Sequence, residues 1–184
     1  NGFRATNSTI NIYGNAFQNF GNGAPAIRSS GASGITAIGS TGINPGNDFI
    51  NSTLAVYGTN GKFTVRGNTF TTVNTGVKIQ NCTNKDIDIT GNTISNTNTA
   101  IWTVNNSGSD IVVQGNTITL NTATGPTPVI TGIQISESNQ NTNMLANVNN
   151  NIINGGGING ISLSNTKNAL LIDNEITITT VSSV

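Results

Sequence analysis

Histidine is absent from this chain. That alone removes Ser–His–Asp triads, Cys–His pairs and His-ligated zinc. Cysteine is nearly absent as well: Cys82 stands alone, so neither an intrachain disulfide framework nor a Cys-rich metal site can form. Charge is scarce. Lysine, arginine, aspartate and glutamate make up 8% of the residues, seven basic against seven acidic, for a formal net charge of zero. An average domain carries roughly 25%. A neutral chain lacks the electrostatic footprint of a nucleic-acid or anionic-lipid binder, so no nucleic-acid partner is expected. No apolar run approaches the roughly 18 residues of a membrane helix, and no membrane insertion is expected. There is no basic-then-apolar signal peptide, and the first residue is not methionine. The sequence therefore reads as one domain over 1–184, cut from a longer protein.

What fills the space is asparagine (33 residues), threonine (28), isoleucine (24) and glycine (22). Good surface-helix formers are few. Isoleucine, valine, threonine and phenylalanine favour strands, while asparagine and glycine favour turns and accept the left-handed backbone region. The isoleucines are too numerous and too regular for disorder.

Their regularity is a repeat, apolar-x-apolar-x-Gly-Asn-x-apolar. It runs Ile10 to Phe17, Phe63 to Phe70, Ile87 to Ile94 and Ile111 to Ile118. Degenerate copies carry Asn150-Asn151 and Asp173-Asn174 in place of Gly-Asn, and an irregular copy fits around Gly46-Asn47. Asn68, Asn92 and Asn116 are spaced 24 residues apart. About ten residues beyond each Gly-Asn lies a second apolar segment, such as Thr75-Gly-Val-Lys-Ile or Thr99-Ala-Ile-Trp-Thr. Each unit thus holds three short strands joined by Asn/Gly turns. A unit of ~24 residues is too short for a propeller blade and shows no helical face. A coil of three parallel strands fits, stacked at about 4.8 Å with the apolar residues inside. About seven coils can be drawn, with an irregular one near 31–50 and a loop insertion over 121–130.

The motif and its spacing resemble the right-handed, single-stranded parallel β-helix of the pectate-lyase-like superfamily, an all-β solenoid. The resemblance spans Ile10 to Ile178 and is specific for fold. The superfamily hosts polysaccharide lyases, glycoside hydrolases, epimerases and bacteriophage tailspikes, so it fixes no single chemistry. Asn15, Asn68, Asn92, Asn116, Asn151 and Asn174 are expected at one turn in successive coils, their amides bonded up the column.

In-register reading of the outer surface gives three candidate columns. Lys62, Asp86 and Asp110 share a position, with Asp88 on the same face. Carboxylates at ~5 Å match a retaining glycosidase pair, and three suit a hard cation such as calcium. A surface charge ladder is the simpler alternative, and no metal or cofactor is expected. The resemblance does not favour catalysis by Asp86, Asp88 and Asp110: the superfamily's Asn-Thr-Asp and Asp-Asp pairs are missing. A second column reads Arg28, Tyr57 or Ala55, Lys78, Trp102, Gln134 and Ser162, with Gln80 beside it and Glu137 following. Here the only tryptophan points outward among amides and cations, as a carbohydrate platform would. The alternative is a Trp covered at an interface. The third column is threonine-rich (Thr69, Thr93, Thr117), which strand propensity explains. Leu170 and Ile172 fall outward in the last coil, suiting continuation into another domain or packing against a partner chain, as in a homotrimer.

These features lead to an expected role as an extracellular or virion-surface β-helix. It would be the shaft or receptor-binding section of a phage tailspike or comparable adhesin, contacting bacterial surface polysaccharide. The alternatives are a polysaccharide-degrading enzyme working through the aspartates and a purely structural spacer.

Overall fold

The computed structural model describes residues 2–21, 23–31, 35–122, 130–137 and 145–179. The expected insertion over 121–130 lies largely outside these residues, as do positions 32–34 of the irregular coil.

Within them the chain winds as a solenoid of three strands per turn, all paired in parallel, with no helix. The first coil is β1 (Phe3–Thr6), β2 (Ile10–Ile12) and β3 (Ala16–Gln18). The second is β4 (Pro25–Ser30), β5 (Ile35–Gly39) and the front of β6 (Asp48–Thr59). The back of β6 opens the third coil, followed by β7 (Lys62–Arg66) and the front of β8 (Thr69–Gln80). The fourth continues from β8 through β9 (Ile87–Thr90) and β10 (Thr93–Thr97). The last three are β11 (Thr99–Val104), β12 (Ile111–Gln114), β13 (Thr117–Leu120); β14 (Thr131–Ser136), β15 (Ala146–Asn149), β16 (Ile152–Gly155); and β17 (Asn159–Ser164), β18 (Ala169–Ile172), β19 (Glu175–Ile178). One sheet holds the middle strands in the order β18-β15-β12-β9-β7-β5-β2, one per coil for seven coils.

Period-2 alternation decides what lies inside. Ile12, Ile38, Val65, Ile89, Val113 and Val148 form one buried column through the middle strands. Phe17, Phe49, Phe70, Ile94, Ile118 and Ile153 form another, in which the Phe49 and Phe70 rings stack at 4.7 Å and the Phe17 and Phe49 rings at 5.1 Å. Parallel stacking in register brings like side chains face to face, so aromatic meets aromatic and isoleucine meets isoleucine.

The turn after each middle strand carries the asparagine ladder. The backbone N–H of Asn68 donates to Asn92 Oδ1, Asn92 to Asn116 and Asn116 to Asn151, at 3.0, 3.0 and 3.1 Å. Each side-chain amide donates along the same path and also to a strand carbonyl inside, as Asn92 Nδ2 does to Val65 O at 2.9 Å. Asn47 fills the rung between Asn15 and Asn68, accepting from Asn15 and donating to Asn68. The irregular coil thus loops out between Gly39 and Asn47 and rejoins the ladder in register. Except at Asn47, whose coil loops out, the left-handed residue is the one before the ladder asparagine: Gly14 at φ 66° and Gly67, Gly91 and Gly115 at φ 59–62°, replaced by Asn150 and Asp173 at 51° and 50°. Those are the residue types that tolerate this backbone region. The ladder asparagines are not themselves left-handed.

Candidate functional site

Rigid stacking makes the outer surface a set of columns, and two of them concentrate chemistry. On the middle-strand face, Lys62 and Asp86 occupy the same position in adjacent coils. Their neighbouring backbones pair in sequence: Phe63 N–H donates to Asp86 O and Ile87 N–H to Asp110 O. Lys62 Nζ lies 2.6 Å from Asp86 Oδ2, and Arg66 Nη2 lies 2.8 Å from Asp88 Oδ2. The Arg66 Nε–H also donates to Thr90 Oγ1 at 3.1 Å. Lys62, Arg66, Asp86, Asp88, Asp110 and Gln114 share the walls of an open depression of about 480 Å³. So the three candidate aspartates do come together, and two of them are ion-paired to cations of the preceding coil. Both pairs are substantially exposed and of little consequence for stability.

The opposite concentration is on the face of β1, β4, β6, β8, β11, β14 and β17. Strand register places Arg4, Arg28, Tyr57, Lys78, Trp102, Gln134 and Ser162 in one outward column. Tyr57, not Ala55, holds the third place; Ala55 is fully buried. Arg4 extends the column by one coil beyond the sequence reading. The signal for it is Phe3-Arg-Ala-Thr, a shortened copy of Ala26-Ile-Arg-Ser-Ser. Cations and aromatics interleave here: the Arg28 guanidinium lies 5.2 Å from the Tyr57 ring centroid and Lys78 Nζ 3.7 Å from that of Trp102. Burial holds the Lys78 pKa below the usual lysine range. The ring face of Trp102 toward the preceding coil is therefore taken by an ammonium. Gln134 Nε2 donates to Ser136 Oγ at 3.2 Å. Gln80 stands half-buried in the adjoining outward column, between Thr59 and Val104.

Glu137 does not join this surface. It is 4% exposed, and its Oε2 accepts the Asn106 backbone N–H. Asn106 Oδ1 in turn accepts the Cys82 N–H at 3.0 Å, so Cys82, Asn106 and Glu137 form a short interior column at the second turn. Glu137 Oε1 has no partner among the described residues, and burial pushes the Glu137 pKa up. Nothing in the immediate sequence marks this column, because its members are three different residue types. The sign of it is position: each follows the end of its strand by one or two residues.

Donors for a metal are sparse. Cys82 is fully buried with its thiol pKa raised by burial, and Met144, the only methionine, lies outside the described residues. Among the described residues no group of three His, Cys, Asp or Glu side chains is placed to hold a metal ion.

Among known proteins, the family model described as "Periplasmic copper-binding protein (NosD)" matches residues 23–183. No curated protein and no solved structure matches the chain. The matched span opens just before β4 and runs through the last coil. On that match, which covers most of its length, the chain belongs to the NosD family.

Proposed function

We propose that this chain is an extracytoplasmic β-helix segment that contacts cell-surface polysaccharide through the outward column from Arg4 to Ser162, as the shaft or receptor-binding section of a tailspike or comparable adhesin does. The observation that carries the reading is the interleaving of cations with aromatic rings, in register over successive coils of a parallel sheet. Aromatic groups cover the apolar faces of sugars, and amides, hydroxyls and cations bind their polar groups. The family's description as periplasmic supports placement outside the cytoplasm. Among the described residues no helix is long and apolar enough to cross a membrane.

Copper comes with the same family description, but the donors do not fit it. Copper sites draw on imidazole and on soft thiolate or thioether ligands. The chain has no histidine, one cysteine, buried with its thiol pKa raised, and one methionine, too few soft donors for a copper ligand set. Copper has no part in the proposal. Asp86 and Asp88 are each neutralised by a cation, which suits a structural charge ladder better than an acid–base pair. For assembly we propose a homotrimer, supported by the exposed Leu170 and Ile172 of the last coil.

The test is a fluorescence titration of the sole tryptophan with a panel of bacterial capsular polysaccharides. At least one should shift or quench the emission, and Trp102→Ala should weaken its binding by about 1–3 kcal/mol, the range of aromatic stacking on other flat ligands. Full affinity in the Trp102→Ala protein would remove the column from the binding site.

A further inference from the structure

The two charged faces treat their cations differently. On the middle-strand face Lys62 and Arg66 each sit against a carboxylate, so their fields largely cancel. In the column from Arg4 to Ser162 there are three cations, Arg4, Arg28 and Lys78, and no carboxylate. The adjoining outward column on the same strands, from Thr6 through Gln80 to Ser164, holds hydroxyl, amide and aliphatic residues and no acid. Glu137, the acid that follows these strands in sequence, is turned into the interior. Arg28 and Lys78 are held on rings instead of by counter-ions. A cation on an aromatic face is positioned without a neutralising counter-ion, so this face carries positive charge although the whole chain is neutral.

We propose that this face takes an anionic polysaccharide, a glycan bearing carboxylate or phosphodiester groups, laid along the solenoid axis with its charges over Arg4, Arg28 and Lys78. The proposal rests on the polysaccharide reading above and names its ligand class. Net charge separates a glycan from the other polyanion, nucleic acid: a nucleic-acid binder carries a net basic footprint, and this chain is neutral. Rungs stand about 4.8 Å apart, so Arg4 to Arg28 is one step of ~5 Å and Arg28 to Lys78 two steps of ~10 Å. Three cations spread over ~14 Å suit a polymer charged once per sugar or once per two sugars. Beyond Lys78 the column turns neutral, with Trp102, Gln134 and Ser162 offering a ring, an amide and a hydroxyl to the uncharged part of the repeat.

The experiment measures affinity by biolayer interferometry for anionic capsular polysaccharides, each beside its carboxyl-reduced form, with a glycerol-phosphate teichoic acid, a neutral glucan and single-stranded DNA in parallel. The expected result is binding confined to the anionic glycans and weakening as salt rises. A loss of tenfold or more on carboxyl reduction assigns the carboxylate source, and retention of the teichoic acid alone assigns the phosphodiester source. The double variant Arg28→Gln/Lys78→Gln should lose at least tenfold. Lys62→Gln on the other face should lose nothing, and melting curves should show both variants folded. Equal affinity for native and reduced polymers, or for the neutral glucan, overturns the anionic class and leaves the polysaccharide reading standing. Binding of DNA as tight as that of any glycan overturns the choice of polymer. Binding to no glycan overturns both.

Discussion

At the scale of single residues, Asn92 shows what one amide does in this fold. It accepts from Asn68 through both the backbone and the side chain, and donates to Asn116 Oδ1, Val65 O and Thr90 O. It is 1% exposed, so water cannot replace a lost partner. Asn92→Ala leaves the Asn68 N–H buried and unsatisfied, and should cost about 1–3 kcal/mol in chemical denaturation. Glu137 is the opposite case, a side chain whose charge is a burden. Burial raises its pKa, outweighing the hydrogen bond from Asn106 that acts the other way. The folded protein therefore holds this proton more tightly than the unfolded chain does. The stability this contributes is full below the unfolded glutamate pKa and is lost as pH rises through the higher folded value. Melting temperature should fall over that window above the ordinary glutamate range. Glu137→Gln keeps a carbonyl for the Asn106 N–H and carries no charge, so it should flatten the decline and melt higher at neutral pH. Melts of both proteins across pH 4 to 8, run at constant ionic strength, check this.

At the scale of elements, short strands and one-residue changes of direction are interchangeable units. Thr93 pairs with Thr117 and Ile94 with Ile118, so Asn92 and Asn116 precede equivalent strands. Excising residues 93–116 joins Asn92 directly to Thr117 with every later residue in its old orientation. In a solenoid stability is approximately a sum of repeats and their interfaces, so the shortened protein should fold with the same circular dichroism shape. Excising 93–104 instead breaks the register and should leave it unfolded. This interchangeability is why the fold was legible: the Gly-Asn pairs, the period and the alternation state the same thing. The aspartate column and the order Arg28, Lys78, Trp102, Gln134 could be read for the same reason, since register alone fixes them. Glu137 could not. Alternation carries a side chain's direction to the end of a strand, and Glu137 lies just past it, where Asn106 and a turn decide. Nor could the partner of Lys78. Sequence puts Trp102 in the next coil, but only the structure shows the ammonium on its ring.

At the scale of the whole molecule, periodicity has an end. Val113, Val148 and Leu171 are successive members of one inward column. Val113 and Val148 are fully buried, whereas Leu171 is 48% exposed because no coil lies beyond β18 among the described residues. The same holds for Ile176, 44% exposed below the buried Ile153. The last coil also points Leu170 and Ile172 outward, so both its faces are apolar and solvent-facing, an arrangement that suits a packing surface. Position in the stack, not residue type, then sets what a charge costs. Val148→Asp places an unpaired carboxylate inside the stack and should destabilise by more than about 4 kcal/mol, at the severe end of single substitutions. Leu171→Asp, one coil on in the same column, should cost about 1 kcal/mol or less in an isolated chain, because the carboxylate stays hydrated. If instead the last coil is covered in a trimer, Leu171→Asp or Leu170→Asp should dissociate it, and light scattering would show the mass drop to one chain. Equal destabilisation by Val148→Asp and Leu171→Asp in a protein that is monomeric throughout would mean that Leu171 is covered by the chain itself.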